Sequence, residues 1–268
     1  MSLPAALYAD LAQYYDRFCA EVNYAEQCDY AVRAFRAFTR SDGYEYLDLA
    51  CGTGQHLLAM QQHGFVPHGL DNSSAMLEQA ALRCPEARLQ LCDLAEFAQQ
   101  NSFDLISCFL YSIHYSHPAS RVEQTLRRCH AALKPGGVLL FNAVDARGIQ
   151  NDEGVTTYLE QADEQLSFKS GWHYQGEGEV LDLQLTITRT SASGEEQWRD
   201  HHTMTALTFP QLKTLLQQIG FELEVMEHDY SALLAWCGES HNAIFVACKP
   251  LQQKSSGQAV IPAKAGTQ

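Results

Sequence analysis

Apolar positions along this chain recur at two spacings, and the change between them divides it. Leu7, Leu11, Tyr14, Tyr15 and Phe18 fall at three- and four-residue intervals, which predicts a helix over residues 1–22. A second helix, Tyr24 to Thr39, carries Ala31, Phe35 and Phe38. Short apolar runs then alternate with helical stretches. Strands are predicted at Tyr46–Ala50, Val66–Leu70, Arg88–Cys92, Phe103–Leu110 and Val138–Ala143. Helices fall at Gln55–Gln61, after the capping residues Asn72 and Ser73, and at Ser120–Leu133. Phe103–Leu110 is almost unbroken in its apolar character, as expected of a central parallel strand buried on both faces. Strand and helix alternating in this way predict an α/β fold, a parallel sheet with right-handed crossovers.

From about Trp172 to Leu207 the period falls to two. Leu181, Leu183, Leu185 and Ile187 face one way, and Asp182, Gln184, Thr186 and Thr188 the other. With a turn at Ser191–Gly194 followed by Glu196–Thr208, this predicts an antiparallel hairpin with one wet face. Pro210 opens a further helix over Gln211–Ile219 that stops at Gly220. Phe221–Glu227 and Ala243–Lys249 add a final pair, for seven core strands. Past Lys249 the composition turns to Gln, Lys, Ser, Gly, Ala and Pro, which predicts a disordered tail over 250–268.

The chemistry concentrates where the first strand ends. Leu47-Asp48-Leu49-Ala50-Cys51-Gly52-Thr53-Gly54 is an apolar strand running into a glycine turn and then a helix, whose free N–H groups point back at any ligand held there. Three acids stand at successive strand ends: Asp48, Asp71 and Asp93. In open α/β sheets that edge is where ligands bind, and an acid about 20 residues past the glycine turn partners ribose hydroxyls. Asp71 lies 17 residues past Gly54. Leu57 occupies the place of the third glycine of a dinucleotide turn, which disfavours a nicotinamide oxidoreductase, and a P-loop sequence is missing too. The site wants an adenosine and offers little to a pyrophosphate.

Charge and cysteine usage narrow the partners. The formal net charge of −14 repels polyphosphate, so a nucleic-acid partner is not expected. The nine cysteines are scattered with no C-x-x-C pair, a pattern of free thiols in a reducing compartment. The N-terminal residues lack a signal-peptide pattern, and no apolar run reaches the ~18 residues that span a bilayer. The expectation is a cytoplasmic protein with no membrane partner.

Taken together, Leu47–Gly54, Gly69-Leu70-Asp71-Asn72-Ser73, Leu91-Cys92-Asp93-Leu94 and Leu133-Lys134-Pro135-Gly136-Gly137 resemble the successive motifs of the class I S-adenosylmethionine-dependent methyltransferases. The resemblance covers about residues 14–145. It implies a Rossmann-like, seven-stranded, mostly parallel sheet with helices on both faces and, here, an antiparallel β insertion after strand five. It also implies S-adenosyl-L-methionine as cofactor. By position, Ala50, Gly52 and Gly54 would pass beneath the methionine and ribose, with Ala50 standing where the family more often has glycine. Asp71 would hold the ribose hydroxyls, Asn72 and Met76 would lie near the adenine, and Asp93 with the Leu94 backbone would read its edge. Cys108 would line the sulfonium end, and Asp48 belongs to the same cofactor set.

Tyr14-Tyr15-Asp16-Arg17-Phe18, Cys108-Phe109-Leu110-Tyr111-Ser112-Ile113 and the insertion resemble the small-molecule branch of that family, which includes amino-sugar and glycine N-methyltransferases. In that branch the N-terminal tyrosine covers the cofactor, so Tyr15 enters both the cofactor set and the catalytic set. The insertion shapes the acceptor pocket, often across a homodimer contact. His114 follows strand four at the rim where an acceptor would sit, and it is the candidate general base. Tyr111, His117, His173, His201, His202, Trp172 and Tyr174 are further polar or aromatic residues of that region. The reading is a methyltransferase acting on an amine or hydroxyl of a small-molecule acceptor. The alternatives are a protein or RNA methyltransferase and a cofactor-binding protein without turnover. The corresponding division of the chain is 1–40 helical cap, 41–148 cofactor-binding core, 149–208 insertion, 209–249 closing helix and strands, and 250–268 tail.

Overall fold

The computed structural model describes residues 12–151, 154–161 and 164–251. Residues 1–11 of the expected first helix, and 252–268 of the expected tail, lie outside the described residues. The first described element is α1 (Ala12–Phe18), followed by α2 (Tyr24–Phe38), where the Asn23 side chain caps the first turn by accepting from the Glu26 N–H. The core then runs β1 (Glu45–Leu49), α3 (Gln55–Gln62), β2 (Val66–Asp71), α4 (Ser74–Arg83), β3 (Arg88–Leu91), β4 (Phe103–Cys108), α5 (Ala119–Ala132) and β5 (Leu133–Val144). The insertion comprises β6 (Gly154–Gln161), β7 (Glu164–Tyr174), β8 (Val180–Ser191) and β9 (Gly194–Thr205). Helix α6 (Phe209–Ile219) and strands β10 (Glu222–Glu227) and β11 (Asn242–Cys248) complete the fold.

The seven-stranded sheet has the order β10-β11-β5-β4-β1-β2-β3. Strands β1 to β5 are parallel, and β11 runs antiparallel to both β5 and β10. Alternate side chains feed two apolar layers. Leu47, Leu49, Ile106, Leu139 and Phe141 pack with α5 and α6 through Val122, Leu126, Leu212 and Leu216. Tyr46, Leu105, Val138 and Leu140 pack on the opposite face with α2 and α3 through Tyr30, Phe35, Leu57 and Met60. Sheet faces this apolar on both sides need helices on both sides, and the chain supplies them.

The insertion is a separate four-stranded antiparallel sheet, β6-β7-β8-β9. Its β8–β9 hairpin turns at Ser191 and Gly194, where the sequence places the turn. The sheet is twice the size expected, since β6 and β7 precede that hairpin. Strand β6 forms an edge with Val155 and Tyr158 exposed, so its apolar residues do not mark a buried face. The connection between β10 and β11, which carries the exposed Cys237, lies at the carboxyl end of β5, because Asn242 pairs with Val144. Helix α6 starts with a capping box between Thr208 and Gln211.

Candidate functional site

At the end of β1 the backbone turns into the left-handed region three times within five residues: Ala50 (φ 55°), Gly52 (φ 52°) and Gly54 (φ 81°). Ala50 adopts this conformation with a Cβ, at a cost of about 1 kcal/mol. That cost is the physical reason glycine is commoner at such a position. Gly54 begins α3, and a Cβ there would lie 3.1 Å from Cα and Cβ of Ala80 on α4, so the turn packs against α4 only through bare backbone. At Gly52 a Cβ would enter the open space beneath Tyr15, 3.8 Å from its Cε1.

Tyr15 reaches that place because α1 is strapped to the turn. Thr53 Oγ1 donates to Asp16 Oδ1 at 2.6 Å, and Arg83 of α4 donates to Asp16 Oδ2 at 2.5 Å and also to the Thr53 carbonyl. The result is an open cleft at the end of β1. Its floor is Asp48, Ala50 and Gly52, and its near wall is Tyr15, Tyr24 and His56. Phe109, Leu110 and Ser112 form the far wall. Of the residues expected here, Tyr15, Asp48, Ala50 and Gly52 line the cleft. Tyr24, His56, Phe109, Leu110 and Ser112 were missed, although each neighbours a recognisable motif.

The three strand-end acids lie on one edge of the sheet, on the adjacent strands β1, β2 and just past β3. Asp71 is buried and accepts from the Gly52 N–H and the Ser73 N–H, both at 2.9 Å, tying the glycine turn to the start of α4. Burial pushes its carboxyl above the usual range, against the pull of those N–H donors. Asp48 is buried as well. Its Oδ1 accepts from Ser107 Oγ at 2.6 Å, while Oδ2 has no hydrogen-bond partner among the described residues, His56 Nδ1 standing 3.6 Å away. Asp93 accepts from the Ala95 N–H at 2.8 Å and pairs with Arg121 at 2.6 Å.

The other expected residues are placed as follows. Asn72 is exposed beside Asp71. Met76 is buried in the first turn of α4, where its N–H donates to Ser73 Oγ at 3.2 Å. Leu94 packs into the core. Cys108, expected to line the sulfonium end, is instead fully buried within the α5 and α6 layer, and Phe109 and Leu110 take the lining position. Alternation along a strand accounts for this: the residue expected to face the cleft faces the helices.

His114 is fully buried in the turn after β4. Its Nδ1 donates to the Thr205 carbonyl of β9 at 2.8 Å, and its Nε2 accepts from the Val144 N–H of β5 at 3.2 Å. Desolvation pushes its pKa down to about 4, so at neutral pH it is an uncharged bridge between core and insertion. Both ring nitrogens are thus engaged with backbone, an arrangement that fixes position and leaves no nitrogen directed at a ligand.

Around it the insertion meets the strand ends through aromatic contacts. Tyr111, in the left-handed region at φ 60°, has its N–H held by Asn142 Oδ1 at 3.1 Å and its ring against Trp172 at 4.9 Å. His228, from the β10–β11 connection, stacks on Tyr111 with ring centroids 5.7 Å apart. Tyr115, Tyr174 and Leu183 complete this apolar cluster. Strained left-handed residues at Leu110 and Tyr111 coincide with the junction of the cleft and the aromatic cluster.

Residues 47–137 match the methyltransferase domain family. The chain is a methyltransferase, and S-adenosyl-L-methionine is its cofactor. Among its relatives is dTDP-4-amino-2,3,4,6-tetradeoxy-D-glucose N,N-dimethyltransferase of Saccharopolyspora spinosa, 25% identical over 67% of this chain and 72% of that one. Similar solved structures include the sugar N-methyltransferase KedS8 from Streptoalloteichus sp., with TM-score 0.76, 21% identity and coverage of 88% and 92%. Another is CalS10, an amino pentose methyltransferase from Micromonospora echinaspora, with TM-score 0.73, 23% identity and coverage of 89% and 96%. These two establish the shared fold. The cleft fits the cofactor on its own chemistry. It offers a buried carboxylate oxygen without a hydrogen-bond donor to a ligand that carries positive charge, and a bare backbone at Gly52 where a side chain would fill the space.

Proposed function

We propose that this enzyme methylates the amino group of a small polar acceptor of the amino-sugar kind. The observation that carries this reading is the seating of the insertion over the strand ends. Trp172 lies against Tyr111, and Thr205 and His202 bond His114 and Tyr115, which fixes the insertion beside the turn that lines the cleft and supports a small acceptor over an RNA or protein chain. A relative that matches two thirds of this chain is named for an amino-sugar N,N-dimethylation.

The cofactor, when bound, supplies a methyl group already activated on a sulfonium. What remains for the protein is to hold both partners in line and exclude water. In our assignment Asp71 accepts from the ribose hydroxyls, with Asn72 and Met76 beside the adenine and Asp93 and the Leu94 backbone at its edge. Asp48 faces the charged amino-acid end, Ala50, Gly52 and Gly54 give close backbone approach, and Tyr15 closes the top. His114 positions the acceptor wall by linking β5 to β9. Residues 41–148 bind the cofactor and 149–208 shape the acceptor site. We assign the exposed edge of β6 to a homodimer contact, and the reduced cysteines to a cytoplasmic setting. Among the described residues no helix is long and apolar enough to cross a membrane.

A methyl-transfer assay with dTDP-4-amino and dTDP-3-amino deoxysugars, simple hydroxyl and carboxyl compounds, and a protein extract tests the reading. Turnover of an amino sugar above the others is expected. Methylation of only carboxyl compounds or protein refutes it.

A further inference from the structure

One polar cluster next to this site has no part in cofactor binding. Tyr115 is half-buried in the turn after β4, the same turn whose Leu110 and Ser112 line the cofactor cleft, and it packs with the aromatic cluster of Tyr111, Trp172 and Tyr174. Its hydroxyl lies 2.6 Å from His202 Nδ1. His202 Nε2 lies 3.2 Å from Asp200 Oδ2, and the His202 side chain is almost wholly buried. Asp200 and His202 are two apart on β9, so they share one face of the insertion sheet. A hydroxyl, an imidazole and a carboxylate are therefore neighbours across the junction between core and insertion. Asp200 stands beside Nε2 as an ion-pair neighbour without hydrogen-bond geometry, and its charge favours the proton on Nε2, which leaves Nδ1 to accept from the hydroxyl.

We infer that Tyr115, His202 and Asp200 form a proton relay that deprotonates the amine acceptor, with Tyr115 the group that touches it. The inference rests on the amine reading above. An aliphatic amine is an ammonium ion at neutral pH and has no lone pair to attack until it loses a proton. In the relay the acceptor N–H bond breaks and its proton passes to the Tyr115 oxygen. The Tyr115 O–H proton passes to His202 Nδ1, and Asp200 stabilises the imidazolium that results. No oxidant or second reactant is needed, and the proton leaves His202 to water after transfer. Burial lowers the pKa of His202, which keeps it neutral and ready to accept. Of the ionisable groups around it, His201 and Asp182 pair with each other at 3.1 Å, and His117 Nδ1 lies 3.3 Å from Thr205 Oγ1. On the core side, His114 is uncharged at neutral pH and held by backbone.

The test has two arms on the full chain. In the first, ¹⁵N-histidine NMR of the protein without acceptor follows His202. The expected state is the Nε2–H tautomer with Nδ1 hydrogen-bonded, and Tyr115→Phe removes that bond's signature. A His202 signal unchanged by Tyr115→Phe overturns the relay. In the second, kcat/KM is measured from pH 6 to 10 on the amino-sugar panel. Tyr115→Phe and His202→Gln are expected to lose about 100-fold at pH 6.5, with cofactor affinity unchanged and the deficit closing as pH rises past the acceptor's own amine pKa. Profiles that superimpose on the wild type overturn it. A wild type that turns over no amine refutes the amine reading instead, and the NMR arm then decides whether the hydrogen-bonded chain exists.

Discussion

Replacing Asp71 by asparagine keeps the shape of the residue at the end of β2 and removes its charge and one acceptor. In the folded protein both carboxylate oxygens are already in use, toward the N–H groups of Gly52 and Ser73 at 2.9 Å. An asparagine amide must point its NH₂ at one of those two donors, which leaves a buried N–H unsatisfied and costs about 1–3 kcal/mol of stability. In the assignment proposed above, the ribose hydroxyls lose a charged acceptor at the same time. A charge-assisted hydrogen bond is worth about 1.5–3 kcal/mol, so a loss of roughly 2 kcal/mol in cofactor binding is expected, about 30-fold in Kd. Titration calorimetry with S-adenosylmethionine reads the affinity, and urea unfolding reads the stability. Ser73→Ala serves as the control. It removes the cap that accepts from the Met76 N–H and loosens the same helix start by about 1 kcal/mol, but takes no acceptor from the ribose. The reasoning fails if folded Asp71→Asn binds the cofactor as tightly as wild type. It fails equally if Ser73→Ala weakens binding as much, for the carboxylate would then act only through the turn.

Gly54→Ala forces a side chain into left-handed backbone and against Ala80, and a loss of about 2 kcal/mol or more in urea unfolding is expected; an unchanged midpoint would contradict the packing described. Tyr15→Ala removes the ring above Gly52, and calorimetry should show cofactor binding weakened by about 1–2 kcal/mol with little change in stability. His114 binds its proton less readily in the folded chain (about 4) than in the unfolded one (6.5). The unfolded state therefore takes up more protons in that window, and stability is full above pH 6.5 and falls as pH drops toward 4, by about 3 kcal/mol. His114→Leu should flatten that part of the stability–pH curve while lowering stability at pH 8, where Val144 N–H and Thr205 C=O lose their partner. A curve of unchanged slope would refute the bridge.

The core was readable because its signals are local. The glycine turn, the acids at strand ends and the unbroken apolar strand are each set by a few neighbouring residues. Elements β1 to β5 fall within a few residues of where the pattern puts them. The insertion was read only in half. Strand β6 exposes Val155 and Tyr158 and β7 buries only Leu166 and Phe168, near its start, so their alternation stands out less than that of Leu181, Leu185 and Ile187 on β8. Site geometry was less legible still. That Cys108 turns inward while Phe109 and Leu110 line the cleft depends on where β4 ends. The engagement of both nitrogens of His114 depends on backbone from β5 and β9, 30 and 91 residues further along the chain. Tyr115 and His202 meet across 87 residues, a distance no spacing rule spans.

The β10–β11 connection has a practical use that follows from its single thiol. Cys237 is exposed there, while the remaining cysteines are buried or half-buried, and burial raises the thiols of Cys51 and Cys108 far above their ordinary range. A maleimide dye under brief, mild labelling therefore attaches first at Cys237, on the segment that also carries His228 into the aromatic wall. Fluorescence from that label gives an optical reporter of substrate arrival on the native, unmutated chain.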